Sequence, residues 1–262
     1  MEIRYMSDLH LEFGKFRMPK LDNDENTVLV LAGDIAVGLM SRASIELWTK
    51  QFKEVVMVAG NHEFYNNIYE QVLERFEQLD ADIENFHFLD DARVVIDGTQ
   101  FLGSTLWTDM NNQAPEVKAV MNYRMNDYHV IKKDTGTTYG WSGRRPSLKL
   151  QVEDTIQFHL NAVKFLEGCL DEFKMPTVIV THHAPTSGCL QVDRYVGDDM
   201  NYAYYTPLEY LMDNDNVKAW ISGHTHHAVR LDIYDTQVVS NARGYVGHEL
   251  NPLFNPLAEI SV

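Results

Sequence analysis

An α/β fold with a buried, at least partly parallel sheet is predicted by two observations. Residues 3–6, 27–32 and 55–59 are short, nearly continuous apolar runs, the pattern of strands covered on both faces. Residues 41–52 and 66–79 read as helices following the second and third runs, and strand–helix–strand–helix order favours parallel neighbours. With 262 residues and 45% hydrophobic content the chain can bury a sizeable core, so one elaborated domain over 1–262 is expected.

The later elements follow from the same reasoning. Residues 93–96 and 101–103 flank Asp97, Gly98, Thr99 and Gln100 as a hairpin. Residues 107–148 are rich in Asn, Met, Tyr, Gly and Arg with little periodicity, and read as an inserted cap or long loop. Residues 152–173 form a long helix with Ile156, Leu160, Val163 and Leu166 along one face. Strands at 177–180 and 218–222 run into Thr181-His182-His183 and Gly223-His224, and 228–234 pairs with 237–240 across Asp235-Thr236.

Composition limits the function classes. A net charge of -16 offers no basic footprint, so an extended nucleic acid is not an expected partner. Cys169 and Cys189 make neither a disulfide framework nor a ligand spacing. The start of the chain carries no signal-peptide pattern and no 18-residue apolar run occurs, so the cytoplasm is the expected location and no membrane partner is expected. Neither Gly-x-Gly-x-x-Gly nor Gly-Lys-Ser/Thr is present, which leaves nicotinamide and P-loop readings without local support.

The chemistry lies at the strand ends. Asp8 and His10 stand two apart just past a strand, where both side chains can point to one side and chelate an ion. Asp34 adds a carboxylate with two oxygens, Asn61 a neutral carbonyl oxygen, and His182, His224 and His226 supply nitrogens. Mixed oxygen and nitrogen donors suit Mn, Fe or Zn, with Ni or Co also compatible, rather than calcium, and the lack of thiolates argues against a closed structural zinc site. Two divalent ions set against two aspartates leave a local positive surplus able to attract phosphate.

Asp8-Leu9-His10, Gly33-Asp34, Gly60-Asn61-His62-Glu63, Thr181-His182 and Gly223-His224-Thr225-His226 together resemble, in order, the five motif blocks of the calcineurin-like metallophosphoesterase family. The resemblance implies a four-layer sandwich of two mixed β-sheets flanked by helices. It further implies two divalent transition-metal ions, one on Asp8, His10, Asp34 and His226, the other on Asp34, Asn61, His182 and His224. The implied reaction is hydrolysis of a phosphodiester or phosphomonoester by a metal-bridging hydroxide. His62 would act beside the ions without binding them, kept cationic by a nearby acid such as Glu63, which stands where many members carry Asp.

Asn61, His62, Arg124, Arg144 and His183 are the candidate substrate contacts, the arginines as phosphate clamps, with Tyr123 or Tyr128 as a stacking platform. The expected partner is a small, nucleotide-like phosphorylated compound. Phosphoprotein phosphatase, nuclease and non-catalytic protein-binding scaffold are the competing functions, and oligomeric state is not legible.

Overall fold

The computed structural model describes residues 1–135, 147–190 and 197–262. Its first sheet contains β1 (Glu2–Met6), β2 (Val28–Ala32), β3 (Glu54–Val58) and β4 (Phe86–Phe88), all parallel. The second takes β5 (Ala92–Ile96), β6 (Thr99–Ser104) and β9 (Thr177–Thr181), with β10 (Val217–Ser222), β11 (Ala228–Ile233) and β12 (Thr236–Asn241), in the order β11-β12-β10-β9-β6-β5. Between them in the chain, β7 (Lys132–Asp134) and β8 (Ser147–Lys149) form a separate ribbon, as do β13 (Gly244–Tyr245) and β14 (Glu249–Leu250). Last in the chain, β15 (Glu259–Ser261) lies antiparallel on β1 and completes the order β15-β1-β2-β3-β4.

Side-chain alternation along the strands builds the layers. Ile3, Tyr5, Val28, Val30, Val56 and Val58 meet Phe101, Val178, Val180, Ala219, Ile221 and Val239 in one apolar layer between the sheets. The alternate residues Leu29, Leu31, Val55 and Met57 face outward and pack against α1 (Arg42–Trp48) and α2 (Tyr69–Asp82). On the far side Leu102, Ile179, Trp220 and Val238 pack against Ala162, Leu166 and Leu170 of a 21-residue helix, Val152–Glu172. The result is helices, sheet, sheet, helix, as the sequence implied. The long helix buries Ile156, Ala162, Leu166 and Leu170, but Leu160 is exposed, so its buried stripe is rotated slightly from the expected one.

The described residues of 107–148 hold more structure than a long loop. α3 (Met110–Gln113) is one turn with left-handed backbone throughout, α4 (Pro115–Arg124) begins with proline in its first turn, and α5 (Asp127–Val130) is a second short turn, making the long helix α6 (Val152–Glu172). Val117, Met121 and Tyr128 pack with Val152, Ile156, Met200 and Ala203 into a small core of their own. The weak periodicity has a physical reason: α4 buries only Val117 and Met121, so little of its length needs to be apolar. Among the described residues, no helix is long and apolar enough to cross a membrane.

Candidate metal centre

The ligand candidates come together because parallel strands of both sheets end at one place. Asp8 follows β1, Asp34 follows β2, Asn61 follows β3, His182 follows β9, and His224 and His226 follow β10. This is the C-terminal edge at which open α/β sheets place ligands. Backbone bonds stitch the loops: Asp8 N–H to Gly33 O at 3.0 Å, His10 N–H to Asp34 O at 3.1 Å, and Gly223 N–H to His182 O at 3.0 Å.

The backbone is strained where it carries these side chains. Asp8, His10, Asp34, His224 and His226 all have positive φ, between 44° and 66°. Each such non-glycine conformation costs about 1–3 kcal/mol and survives only where surrounding structure enforces it. Glycine is required beside them: a Cβ on Gly60 would stand 2.1 Å from Asp34 Oδ1 and one on Gly33 2.4 Å from His182 Nδ1.

Three overlapping sets of donors close enough to share an ion result among the described residues: Asp8, His10 and His226; Asp34, His182 and His224; and, between these two, His10, Asp34 and His62. His226 Nε2 lies 3.3 Å from Asp8 Oδ1, and His10 Nε2 lies 3.2 Å from His226 Nε2 and 3.7 Å from Asp34 Oδ2. On the other side Asp34 Oδ1 is 3.5 Å from His182 Nε2, which is 3.1 Å from Asn61 Oδ1. Asp34 therefore presents one oxygen to each group.

The donor set fits positive ions on three counts. His224 Nε2 is buried with no hydrogen-bond partner among the described residues. His182 Nδ1 is 2.9 Å from the Ala32 carbonyl, so in the neutral ring Nε2 offers a lone pair, and it faces Asn61 Oδ1 and Asp34, which are acceptors too. Burial alone would lower the His182 pKa, yet Asp34 and Asp8 overcome it and hold the ring up at about 10, which marks a place that draws positive charge.

His62 stands beside the centre. Its Nδ1 is 3.2 Å from Glu12 Oε1, its Nε2 is 3.1 Å from the Tyr245 hydroxyl, and its ring stacks on Tyr65 at 4.1 Å. Burial opposes its charge, but Asp34, Glu12 and Asp127 outweigh it and raise its pKa. His62 also falls within ligand distance of His10 and Asp34. Its hydrogen-bond partners, Glu12 and the Tyr245 hydroxyl, both lie outside the donor set, whereas His10 and His182 each turn one nitrogen to another member of it.

The acid beside His62 is not Glu63. Glu63 is fully buried and accepts from four backbone amides: Asp34 at 2.9 Å and Gly60 at 2.7 Å on Oε2, Ile35 at 2.7 Å and Ala36 at 3.2 Å on Oε1. Burial and the Asp34 charge push its carboxyl up to about 7, while the amides oppose them. The reason is geometric: successive side chains in the 3₁₀ turn His62–Phe64 diverge by about a third of a turn. Glu12 takes the place assigned to Glu63, and its Oε1 also lies 3.1 Å from His10 Nδ1.

Other substrate candidates separate clearly. His183 does not reach the cavity: its Nδ1 contacts the Thr105 carbonyl at 3.1 Å, and its ring lies behind His224, 4.2 Å between centroids. Burial, then the His182 charge, pull its pKa down to about 3, so it stays neutral. Tyr128 is buried against Thr155 and Tyr123 is 82% exposed, so neither stacks at the centre. Arg144 lies outside the described residues. Arg124 lines the cavity at its rim, its Nη1 3.1 Å from both Asp198 oxygens. Arg243, on the loop between β12 and β13, donates to the carbonyls of Leu9, Gly14 and Lys15.

The cavity over the centre holds about 320 Å³ and is lined by Asp34, Asn61, His62, His224 and His226 below, with Tyr65, Tyr204, Tyr245, Arg124, Met125 and Met200 around them. The three tyrosines, Glu12 and Asp127 were missed in the sequence. Glu12 carried a signal, since it continues the every-second-residue series Asp8, His10; the tyrosines and Asp127 stand in no motif spacing.

A model of the calcineurin-like phosphoesterase matches residues 1–228. The chain belongs to that family. An uncharacterized protein of Acanthamoeba polyphaga mimivirus is 28% identical to this phosphoesterase over 285 residues, covering 99% of the chain and 96% of that protein. Among solved structures, the phosphopantetheinyl hydrolase PptH of Mycobacterium tuberculosis is similar with a TM-score of 0.62 at 16% identity, over 93% of this chain and 89% of that one. At that identity the likeness concerns the fold.

Proposed function

We propose that this chain hydrolyses a small, nucleotide-like phosphodiester or phosphomonoester with two divalent transition-metal ions. The observation that carries the reading is Asp34, buried and presenting one oxygen to each of two donor groups at the floor of a cavity of about 320 Å³. Asp8, His10 and His226 would complete one site, and Asn61, His182 and His224 the other. Ions held there supply a water of lowered pKa and withdraw charge from phosphate oxygens.

The chain's own residues do the rest. His62, raised in pKa and held by Glu12 through Nδ1, would carry a proton on Nε2, the nitrogen 3.1 Å from the Tyr245 hydroxyl and within the same cavity. That proton can be given to a phosphate or leaving-group oxygen. Tyr65, Tyr204 and Tyr245 give flat walls suited to a planar leaving group, and Arg124 sits at the rim where a second anionic group would lie. The volume falls at the small end of ligand pockets, which favours one nucleotide-sized molecule over a phosphopeptide in an open groove.

The structure also lowers the local positive surplus expected from the sequence. Glu12, whose carboxyl is held low against burial by its contacts with His10 and His62, adds negative charge beside the two aspartates, while burial raises the carboxyls of Asp127 and Glu63, which add less. Attraction of phosphate therefore depends on bound ions and on His62 more than on any general positive field.

Metal analysis of the purified, reconstituted protein is expected to give close to two ions per chain; a value near zero would sink the dinuclear reading. Catalytic efficiency on a mononucleotide-sized diester is expected to exceed that on single-stranded DNA or RNA per scissile bond. The centre acts at short range, with a Debye length of about 8 Å at physiological salt, whereas a polymer must also cross a surface of net charge -16. Faster cleavage of the polymer in side-by-side kinetics would overturn the small-substrate assignment.

A further inference from the structure

Asn61 poses a problem that its own motif does not solve. A carboxamide has two ends of nearly the same shape, one accepting and one donating, and only the oxygen end can serve a cation. Rotation by half a turn would place an N–H₂ group against the centre and repel the ion. Something must hold the nitrogen end away.

We propose that Asp127, a residue of the 107–148 insertion, is the positioning residue that locks Asn61 with its carbonyl oxygen toward the metal centre. Asp127 is 2% exposed, and its Oδ1 accepts from Asn61 Nδ2 at 2.8 Å. A carboxylate has only acceptors, so it selects the nitrogen end of the amide. Asn61 Oδ1 then points to the opposite side, 3.1 Å from His182 Nε2. The inference rests on the reading of Asn61 as a metal ligand.

The same oxygen does a second task. Tyr65 donates its hydroxyl to Asp127 Oδ1 at 2.8 Å, and the Tyr65 ring is the surface on which His62 stacks. One carboxylate thus sets the ligand amide and the platform of the neighbouring histidine. Its position is secured by the backbone: Asn66 N–H bonds Val130 O at 3.2 Å, and Lys132 N–H bonds Asn67 O at 3.0 Å, tying the adjacent residues Asn66 and Asn67 to the end of α5 and the start of β7. The insertion is therefore a working part of the metal centre as well as a wall of the cavity.

The test is Mn²⁺ titration of EDTA-stripped, full-length protein by calorimetry, resolving two binding events, on the wild type and on Asp127→Ala, Asp127→Asn, Asn61→Ala and the Asp127→Ala/Asn61→Ala double variant. Removing a group that orients a ligand weakens metal affinity by about 10- to 100-fold. Asp127→Ala is expected to weaken one event by that factor and leave the other within about threefold, a split that a general loss of structure does not produce. The double variant is expected to match Asn61→Ala alone in ion affinity, because Asp127 reaches the ions only through the amide, its contact with Tyr65 bearing on His62.

Asp127→Asn keeps the shape and provides the test if the alanine variant does not fold. A neutral acceptor forms a bond roughly half as strong, so a several-fold weakening of the same event is expected. Unchanged affinity in Asp127→Asn or Asp127→Ala overturns the proposal, as does an effect of Asp127→Ala that adds in full to that of Asn61→Ala. Wild-type protein that binds two ions while Asn61→Ala loses neither defeats the ligand reading beneath it. Loss of both events equally in Asp127→Ala assigns the residue to folding and also overturns the proposal.

Discussion

Glu63→Ala is expected to destabilise the metal-free protein by roughly 3–5 kcal/mol, since each buried donor left without a partner costs about 1–3 kcal/mol and water entering the vacated space recovers only part of four such losses. The four amides belong to Gly60, Asp34, Ile35 and Ala36, on the loops after β3 and β2, so the carboxylate is a clamp between two neighbouring strand ends. For a chain of this length the loss corresponds to a fall in melting midpoint on the order of 10 °C. Glu63→Gln keeps the volume but turns one oxygen into an N–H₂ group facing two N–H donors, whichever way the amide is set. It is therefore expected to be destabilised too, although by less. Thermal and urea unfolding in EDTA, which removes any stabilisation from bound ions, checks both variants. A Glu63→Ala protein within about 1 kcal/mol of the wild type would show that water replaces the carboxylate fully, contrary to the burial cost of unmade hydrogen bonds.

That clamp also shows what a sequence reveals and what it hides. The candidate ligand blocks were legible because each pairs a buried strand with donors immediately after it, so strand-end chemistry is written locally: Asp8 after β1, Asp34 after β2, His182 after β9. The inner and outer faces of the sheets were legible for a similar reason, since covering both faces demands continuous apolar runs. Partners across the fold were not. Glu63 follows His62 directly and invited pairing with it, but the turn sends the two side chains apart, and the acid that reaches His62 comes from Glu12, 50 residues earlier. Asp127 lies 66 residues from Asn61, in a segment whose helices bury too few residues to leave a periodic trace. Strands of three residues such as β4 and β15 are equally silent, because they borrow their stability from the longer strand beside them.

His62→Asn is expected to reduce turnover by roughly 10²- to 10⁴-fold, the range for a lost proton donor, while leaving two ions in place. The distinction turns on how the ring nitrogens are used. In His182 one nitrogen is held near the Ala32 carbonyl and the other looks at Asp34 and Asn61; in His224 one nitrogen is buried with no hydrogen-bond partner among the described residues. Those settings suit the proposed ligand role. His62 instead divides its nitrogens between Glu12 and the Tyr245 hydroxyl, and lies flat on Tyr65 at the cavity floor. Its raised pKa is produced by carboxylates, Asp34, Glu12 and Asp127, that persist when asparagine replaces it, so the ion sites keep their own charge in the variant. Asparagine can still donate a hydrogen bond from its amide, but it cannot surrender a proton to a departing oxygen. The loss should accordingly be largest for substrates with poor leaving groups and small for activated aryl esters, which need no proton. Kinetics on a leaving-group series, run beside metal analysis of the same preparations, separate the two roles: a parallel fall in activity and ion content would make His62 a ligand, and a loss independent of the leaving group would remove it as the acid.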